Sequence, residues 1–424
     1  MTNAMLERAQ QPLDHSKHDM NRRQFITAAL GAMTVGFAPL AGGAQGGRAP
    51  TGYIRTNWSR DPFSFGSYSY LAKGSWRRDH RALGQPIEGR LFFAGEATHP
   101  SYNSTVHAAY ESGIIAAEAL FETDARKVGI VGAGMSGLAA ADALTKAGYD
   151  VSIWEARDRI GGRIWTDTRL NAPLDLGASW IHGTDGNPLA QLAQQRGIVT
   201  QITQESYVTR GASGRLIPDS EAPDWLYSQV AVQHSFGAEA DDINMSAYVW
   251  DDDYDGDEVI FPGGYAQLFD AFAADLNIQL NRSLGGVDLR DGGVELTDGV
   301  GHAETFDAVI VTVPLGVLKA GNIAFTPALP DEKQHAISQL GMGLLDKLYL
   351  RYDDVFWDAD VTWIATPENG LPRGQFNEWL NFYPYIGEPV IMAFNGGQPA
   401  RDLAGLSDAD VVDRALQTLD MAYL

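Results

Sequence analysis

The chain has 424 residues, 45% of them hydrophobic and 20% charged, with a formal charge of −23 and no cysteine. That length supports two domains sharing a large core, while the missing cysteines exclude disulfides and thiolate metal sites, and the histidines show no metal-ligand spacing. The acidity argues against nucleic acid, whose phosphates would be repelled, and suits cationic small molecules, although acidity for solubility alone is the plainer reading.

In chain order, Asn21-Arg22-Arg23-Gln24-Phe25-Ile26 is followed by an apolar stretch from Thr27 to Leu40 and a small-residue exit at Gly42-Gly43-Ala44. Residues 1–44 therefore read as a twin-arginine signal peptide, with a short membrane anchor as the alternative. The mature body would be periplasmic or extracellular, with no stable membrane insertion after signal removal. Residues 45–52 form a linker. Residues 53–126 then carry Asp61-Pro62-Phe63, Gly66-Ser67-Tyr68-Ser69, Ala94-Gly95-Glu96-Ala97-Thr98 and Ser104-Thr105-Val106-His107.

Residues 127–183 hold the strongest motif. An apolar run from Lys127 to Val131 leads into Gly132-Ala133-Gly134-Met135-Ser136-Gly137, an Ala/Leu-rich helical segment, and a second apolar run ending at Glu155. This is a βαβ nucleotide-binding unit: Gly132 allows the tight turn, Gly134 the approach of a pyrophosphate, Gly137 close helix–strand packing, and Glu155 accepts from a ribose. Ala156, Arg157, Gly162 and Arg163 continue it as a second loop closing over the dinucleotide. Leu176-Gly177-Ala178-Ser179-Trp180-Ile181-His182-Gly183 follows.

Residues 184–258 are polar and irregular, with a helical patch at Pro188 to Gln195, and suit the helical part of a substrate domain. Asp251, Asp253, Asp255 and Gly256 open like a calcium loop, but Pro262 stands where the bidentate Glu is needed. Residues 259–315 return to the nucleotide domain, with strands expected at Ile278 to Leu280, Gly293 to Leu296 and Ala308 to Val313, the last leading to Pro314 beside the dinucleotide. Residues 316–424 supply the substrate-domain sheet and several helices, ending in a helix from Asp410 to Tyr423.

The glycine motif, its GGR continuation and the GASWIHG segment together resemble the FAD-dependent amine oxidase family, and specifically its polyamine oxidase branch. The resemblance implies an α/β fold: a Rossmann-type FAD domain with a second, α+β substrate domain. The segments quoted from residues 53–126 are similar to the block that closes the flavin site at the C-terminal end of family members, so the chain reads as circularly permuted. A rearranged coding sequence would give the same order.

The same resemblance implies FAD held noncovalently, since Ser67 stands where some members carry a flavin-bonded cysteine. Ser136, Gly177, Ala178, Ser179, Trp180, Pro314, Gly95 and Glu96 match cofactor-binding positions, and the N–H of Val106 would face the flavin edge. Lys347 matches the lysine that holds a water at flavin N5. Tyr68 matches one wall of the aromatic cage, Thr105 stands at the second, and His182 is a candidate substrate contact. The implied reaction is oxidation of a polyamine or a primary or secondary amine by hydride transfer to N5, with O₂ reduced to H₂O₂. An L-amino acid oxidase, with Arg351 or Arg373 for the carboxylate, and a catalytically silent flavin-binding protein are the alternatives.

Overall fold

The computed structural model describes residues 48–247 and 254–424, together with a two-residue strand at Met33–Thr34. The rest of the expected leader, and Asp251 to Asp253 of the acidic run, lie outside the described residues.

In chain order, the elements that position the site are β1 (Gly52–Thr56), β2 (Leu91–Phe93), α1 (Val106–Phe121), β3 (Lys127–Val131), α2 (Met135–Lys146) and β4 (Asp150–Trp154). They are followed by β5 (Asn277–Gln279), β6 (Ala308–Val311), β7 (Leu345–Arg351), β8 (Trp363–Ala365), β9 (Glu378–Asn381), β10 (Val390–Gly396) and α3 (Asp408–Tyr423).

The first sheet is parallel throughout, in the order β5-β4-β3-β6-β2. Its central strands are buried along nearly their whole length, which is why Val128 to Val131 and Ala308 to Val311 read as apolar runs without alternation. Helices α1 and α2 pack together on this sheet at a very close crossing. An added Cβ on Gly113 would lie 2.2 Å from the carbonyl oxygen of Ser136, so only glycine permits the approach.

Chain connectivity here is short. Helix α1 hands the chain through residues 122–126 to β3, and the amides of Arg126 and Lys127 both donate to the Asp307 carboxylate at 2.9 and 2.8 Å. A smaller four-stranded sheet is built from Leu284–Arg290, Gly293–Asp298 and Ala303–Phe306, between β5 and β6 in the chain, and Ala324–Thr326 after β6.

The second large sheet runs Met33–Thr34, β1, β7, β10, β9, β8 and Tyr207–Thr209. Strand β1 thus joins this sheet, whereas the sequence places all of residues 53–126 with the nucleotide domain. Arg55, on β1, donates to the carbonyls of Leu403 and Leu406 and pairs with Asp408, tying the strand to the start of α3. Far along the chain from each other, Arg48 and Tyr423 both pack on Phe356, the guanidinium 4.8 Å and the phenol ring 5.9 Å from its centroid. Among the described residues no helix is long and apolar enough to cross a membrane.

Candidate functional site

A cleft of about 310 Å³ opens where the five parallel strands end. Its wall takes Gly132 and Gly134 after β3, Glu155 to Arg157 after β4, Arg282 to Leu284 after β5, Thr312 to Pro314 after β6, and Gly95 and Glu96 after β2. Ligands of open α/β sheets bind at this edge because the strand ends and helix N-termini converge there.

Two helix N-termini reach the cleft. Helix α2 begins at Gly134 with no side-chain cap, leaving its first amide N–H groups for a ligand, and Met135 and Ser136 line the wall. Helix α1 begins at Thr105, whose hydroxyl accepts from the Ala108 amide at 3.1 Å, and Thr105, Val106 and Ala109 line the opposite side. A Cβ on Gly137 would come within 2.0 Å of the Gly132 carbonyl, so that glycine serves packing. A Cβ on Gly134 would meet no protein atom nearer than 4.0 Å. The space above Gly134 therefore belongs to the cleft, and together with the uncapped amides it fits the pyrophosphate of a dinucleotide.

The carboxylates are arranged with equal economy. Glu155 accepts from the amides of Ala133 at 2.7 Å and Arg157 at 2.8 Å, which holds the glycine turn against the end of β4 and leaves lone pairs for a ribose diol. Arg157 forks onto Asp61 at 2.7 and 2.9 Å, so its guanidinium is used to bind residues 61–63 to the nucleotide loop. Glu96, a position the resemblance assigns to cofactor binding, lines the cleft and accepts from Arg163, from the Ser69 amide and hydroxyl, and from the Ser104 amide. Burial alone would raise the Glu96 carboxyl, but Arg163 and these hydrogen bonds hold it below the usual carboxylate range.

The remaining expected residues, Gly177, Ala178, Ser179, Trp180, Tyr68, His182 and Lys347, do not line the cleft. Lys347 is 2% exposed, in an interior strand flanked by β1 and β10, and donates to the carbonyls of Asp175 and Gly177 and to the Ser179 hydroxyl at 2.6–2.7 Å. Tyr68 is fully buried and donates to the His234 carbonyl at 2.5 Å. His234 in turn pairs through Nδ1 with Glu378 at 2.8 Å, and Glu378 accepts from the Tyr207 hydroxyl. Ser67 bonds both the amide and the carbonyl of Leu345, and its own carbonyl accepts from Arg163.

Sequence reasoning missed a cluster at the first turns of α1. His99, Tyr102 and Tyr254 form a stack with successive ring centroids 5.1 and 5.0 Å apart, and His107 meets both tyrosines edge-on. Glu111, one turn after His107, accepts from the Tyr254 hydroxyl at 2.6 Å and lies 3.2 Å from His99 Nε2. The amides of Ser101 and Tyr102 donate to His99 Nδ1, which makes Nε2 the protonated nitrogen facing Glu111. His182 pairs with Glu258 at 2.6 Å in the adjoining loop. Arg282, stacked on Trp154 at 3.4 Å, was also missed, although its place after a parallel strand marks it.

Residues 9–121, 135–223 and 227–423 match a family model described as flavin containing amine oxidoreductase. Polyamine oxidase 2 of Arabidopsis thaliana is 30% identical over 365 residues, covering 70% of this chain and 72% of the relative. Probable polyamine oxidase 4 of the same plant is 32% identical over 342 residues, 66% and 68% of the two chains. A structure of putrescine oxidase bound to putrescine superposes with a TM-score of 0.55 at 22% identity, over 70% of this chain and 81% of that one, a likeness of fold.

Proposed function

The chain belongs to the flavin-containing amine oxidoreductase family and is an FAD-dependent enzyme; from that premise we propose that it oxidises a polyamine or a similar primary or secondary amine. The observation that carries the reading is the cleft itself, with two helix N-termini and the Glu155 carboxylate at the ends of the parallel strands. Gly132, Gly134, the first turn of α2 and Glu155 would hold the adenosine and pyrophosphate, and Thr105, Val106, Gly95, Arg163 and Pro314 would line the flavin half. Bound FAD would supply the two-electron acceptor for the amine, with O₂ as the final acceptor giving H₂O₂.

The protein's part is to orient the amine, favour its neutral form at the reacting nitrogen and exclude water. The resemblance implies Tyr68 as an aromatic face for the amine; in the structure it is fully buried off the cleft wall, with its hydroxyl on the His234 carbonyl. The names of the relatives and the charge of −23 favour the same cationic substrate class. The L-amino acid oxidase reading needs an arginine at the site, but Arg351 is paired with Glu388 and Arg373 is an exposed residue over Trp225.

Circular permutation is part of this proposal. It is supported by the short α1-to-β3 connection and by Arg48 and Tyr423 sharing Phe356. Export through the twin-arginine route, releasing the body from about residue 45, completes the reading.

The test is an anaerobic titration of the FAD-loaded protein with spermine, spermidine, a monoamine and L-leucine. Bleaching of the flavin by a polyamine, reversed by air with H₂O₂ release, is expected. Bleaching by L-leucine alone would overturn the substrate class, and a bound flavin that no amine bleaches would favour the silent binder.

A further inference from the structure

Residues 61–66 reach the nucleotide cleft from the second large sheet. The chain before them is fixed there, because β1 pairs with β7 and the Trp58 amide donates to the Asp346 carboxylate on β7 at 3.0 Å. The chain after them is fixed to the same strand, where Ser67 bonds the amide and the carbonyl of Leu345. Between these anchors Pro62 and Phe63 line the cleft and are also exposed, Phe63 by 36%, so this segment forms part of the rim.

Two contacts seat it. At one end the buried Asp61 carboxylate receives both arms of the Arg157 guanidinium at 2.7 and 2.9 Å and accepts from the Phe63 amide at 2.8 Å. Arg157 belongs to the loop after β4, and its guanidinium carbon lies 5.4 Å from the Phe63 ring centroid. At the other end the carbonyls of Ser64 and Phe65 lie against Gly316, in the helix Leu315–Ala320 that follows β6; a Cβ on Gly316 would stand 2.2 Å from the Ser64 oxygen. Strands β4 and β6 flank β3 in the sheet. Residues 61–65 therefore bridge the loops on either side of the Gly132–Gly134 turn, where the pyrophosphate would lie.

The bridge is held closed against a local cost. Phe65 has φ 51°, a left-handed conformation unfavourable for a bulky side chain, and its amide is tied to the Asp61 carbonyl at 2.9 Å. Releasing Asp61 from Arg157 frees that turn while the anchors at Trp58 and Ser67 stay in place. We propose that residues 61–65 are a strap across the cofactor cleft, latched by Asp61 on Arg157, and that FAD enters and leaves while the latch is open. Asp61 is then a positioning residue and Phe63 the closing side chain. The proposal rests on the reading of this cleft as the FAD site.

Mixing apoprotein with FAD, and diluting the FAD-loaded protein, read uptake and release through the flavin fluorescence. In Asp61→Asn both rates are expected to rise about tenfold, from loss of a charge-assisted pair, while the dissociation constant moves far less. Phe63→Ala, at the exposed rim, raises both rates as well and serves if Asp61→Asn does not fold. Glu155→Ala removes a cofactor contact and leaves the strap in place, so it raises release alone. Where Glu155→Ala responds, release that rises without uptake in both strap variants, or rates unmoved in both, overturns the strap. Rates unmoved in Glu155→Ala as well would place FAD outside this cleft and remove the reading on which the strap rests.

Discussion

The Arg163 guanidinium and the Glu96 carboxylate meet at 2.8 Å, with the carboxylate 2% exposed, joining the turn after β2 to the loop after β4 across the floor of the cleft. Glu96→Gln removes the charge paired with a half-buried guanidinium that keeps its bond to the Ser67 carbonyl. A stability loss of about 1–3 kcal/mol is expected, measured by denaturant unfolding with FAD present and absent. An unchanged midpoint would mean that the pair is replaceable by its hydrogen bonds alone.

Gly113→Ala forces a Cβ to 2.2 Å from the Ser136 carbonyl, where neither backbone can yield cheaply. Separation of α1 from α2 is expected to destabilise the protein by about 1–3 kcal/mol and to weaken flavin retention, because the two N-termini on opposite walls of the cleft move apart. Thermal unfolding and the flavin-to-polypeptide ratio after gel filtration check both effects.

Glu155→Ala removes the ribose acceptor and frees the amides of Ala133 and Arg157. FAD affinity should drop by roughly tenfold or more, the loss of one charge-assisted hydrogen bond. Full flavin occupancy after extensive dialysis would show that the carboxylate serves only the turn.

His107 is buried and neutral; burial first, then the neighbouring His182, pulls its pKa down to about 3. The unfolded chain binds this proton at about pH 6.5, so between these values the unfolded state carries the extra proton and stability falls as pH falls. Unfolding free energy measured from pH 7.5 down to 5 should decline in the native protein, and His107→Gln should flatten part of that slope. Equal slopes would place the acid sensitivity elsewhere.

On the permuted reading, a chain running from residue 127 to 424 and then through a short Gly/Ser linker into residues 48–121 keeps every contact of the cleft. It should bind FAD with the same absorption and near-ultraviolet dichroism. Failure to bind would show that the connection at residues 122–126 is needed, and not just tolerated.

The nucleotide half of the site was legible because its chemistry is local: the glycine spacing, the acid at Glu155 and the strand–helix–strand rhythm all fall within forty residues. Strand β6 ends at Val311, two residues before the expected end, because Thr312 turns its hydroxyl onto the Val131 carbonyl at 2.7 Å. Helix α3 starts at Asp408, two residues earlier than expected, because Ser407 caps it by accepting from the Asp410 amide. Lys347 reads locally as an edge-strand residue; it is interior because β1, almost three hundred residues earlier, pairs on its open side. The Tyr254–Glu111 contact has no local signal at all, since a loop and a helix far apart in the chain create it.

The place of β6 between β2 and β3 has a consequence for how the molecule is made. Both early strands leave the ribosome long before residues 308–311 exist, and neither can hydrogen-bond to the other across the gap that β6 fills. The segment that grips the cofactor is therefore synthesised first and completed late. Until β6 arrives, β2 and β3 each present an unpaired edge, and the nascent chain must be kept from pairing those edges with another copy.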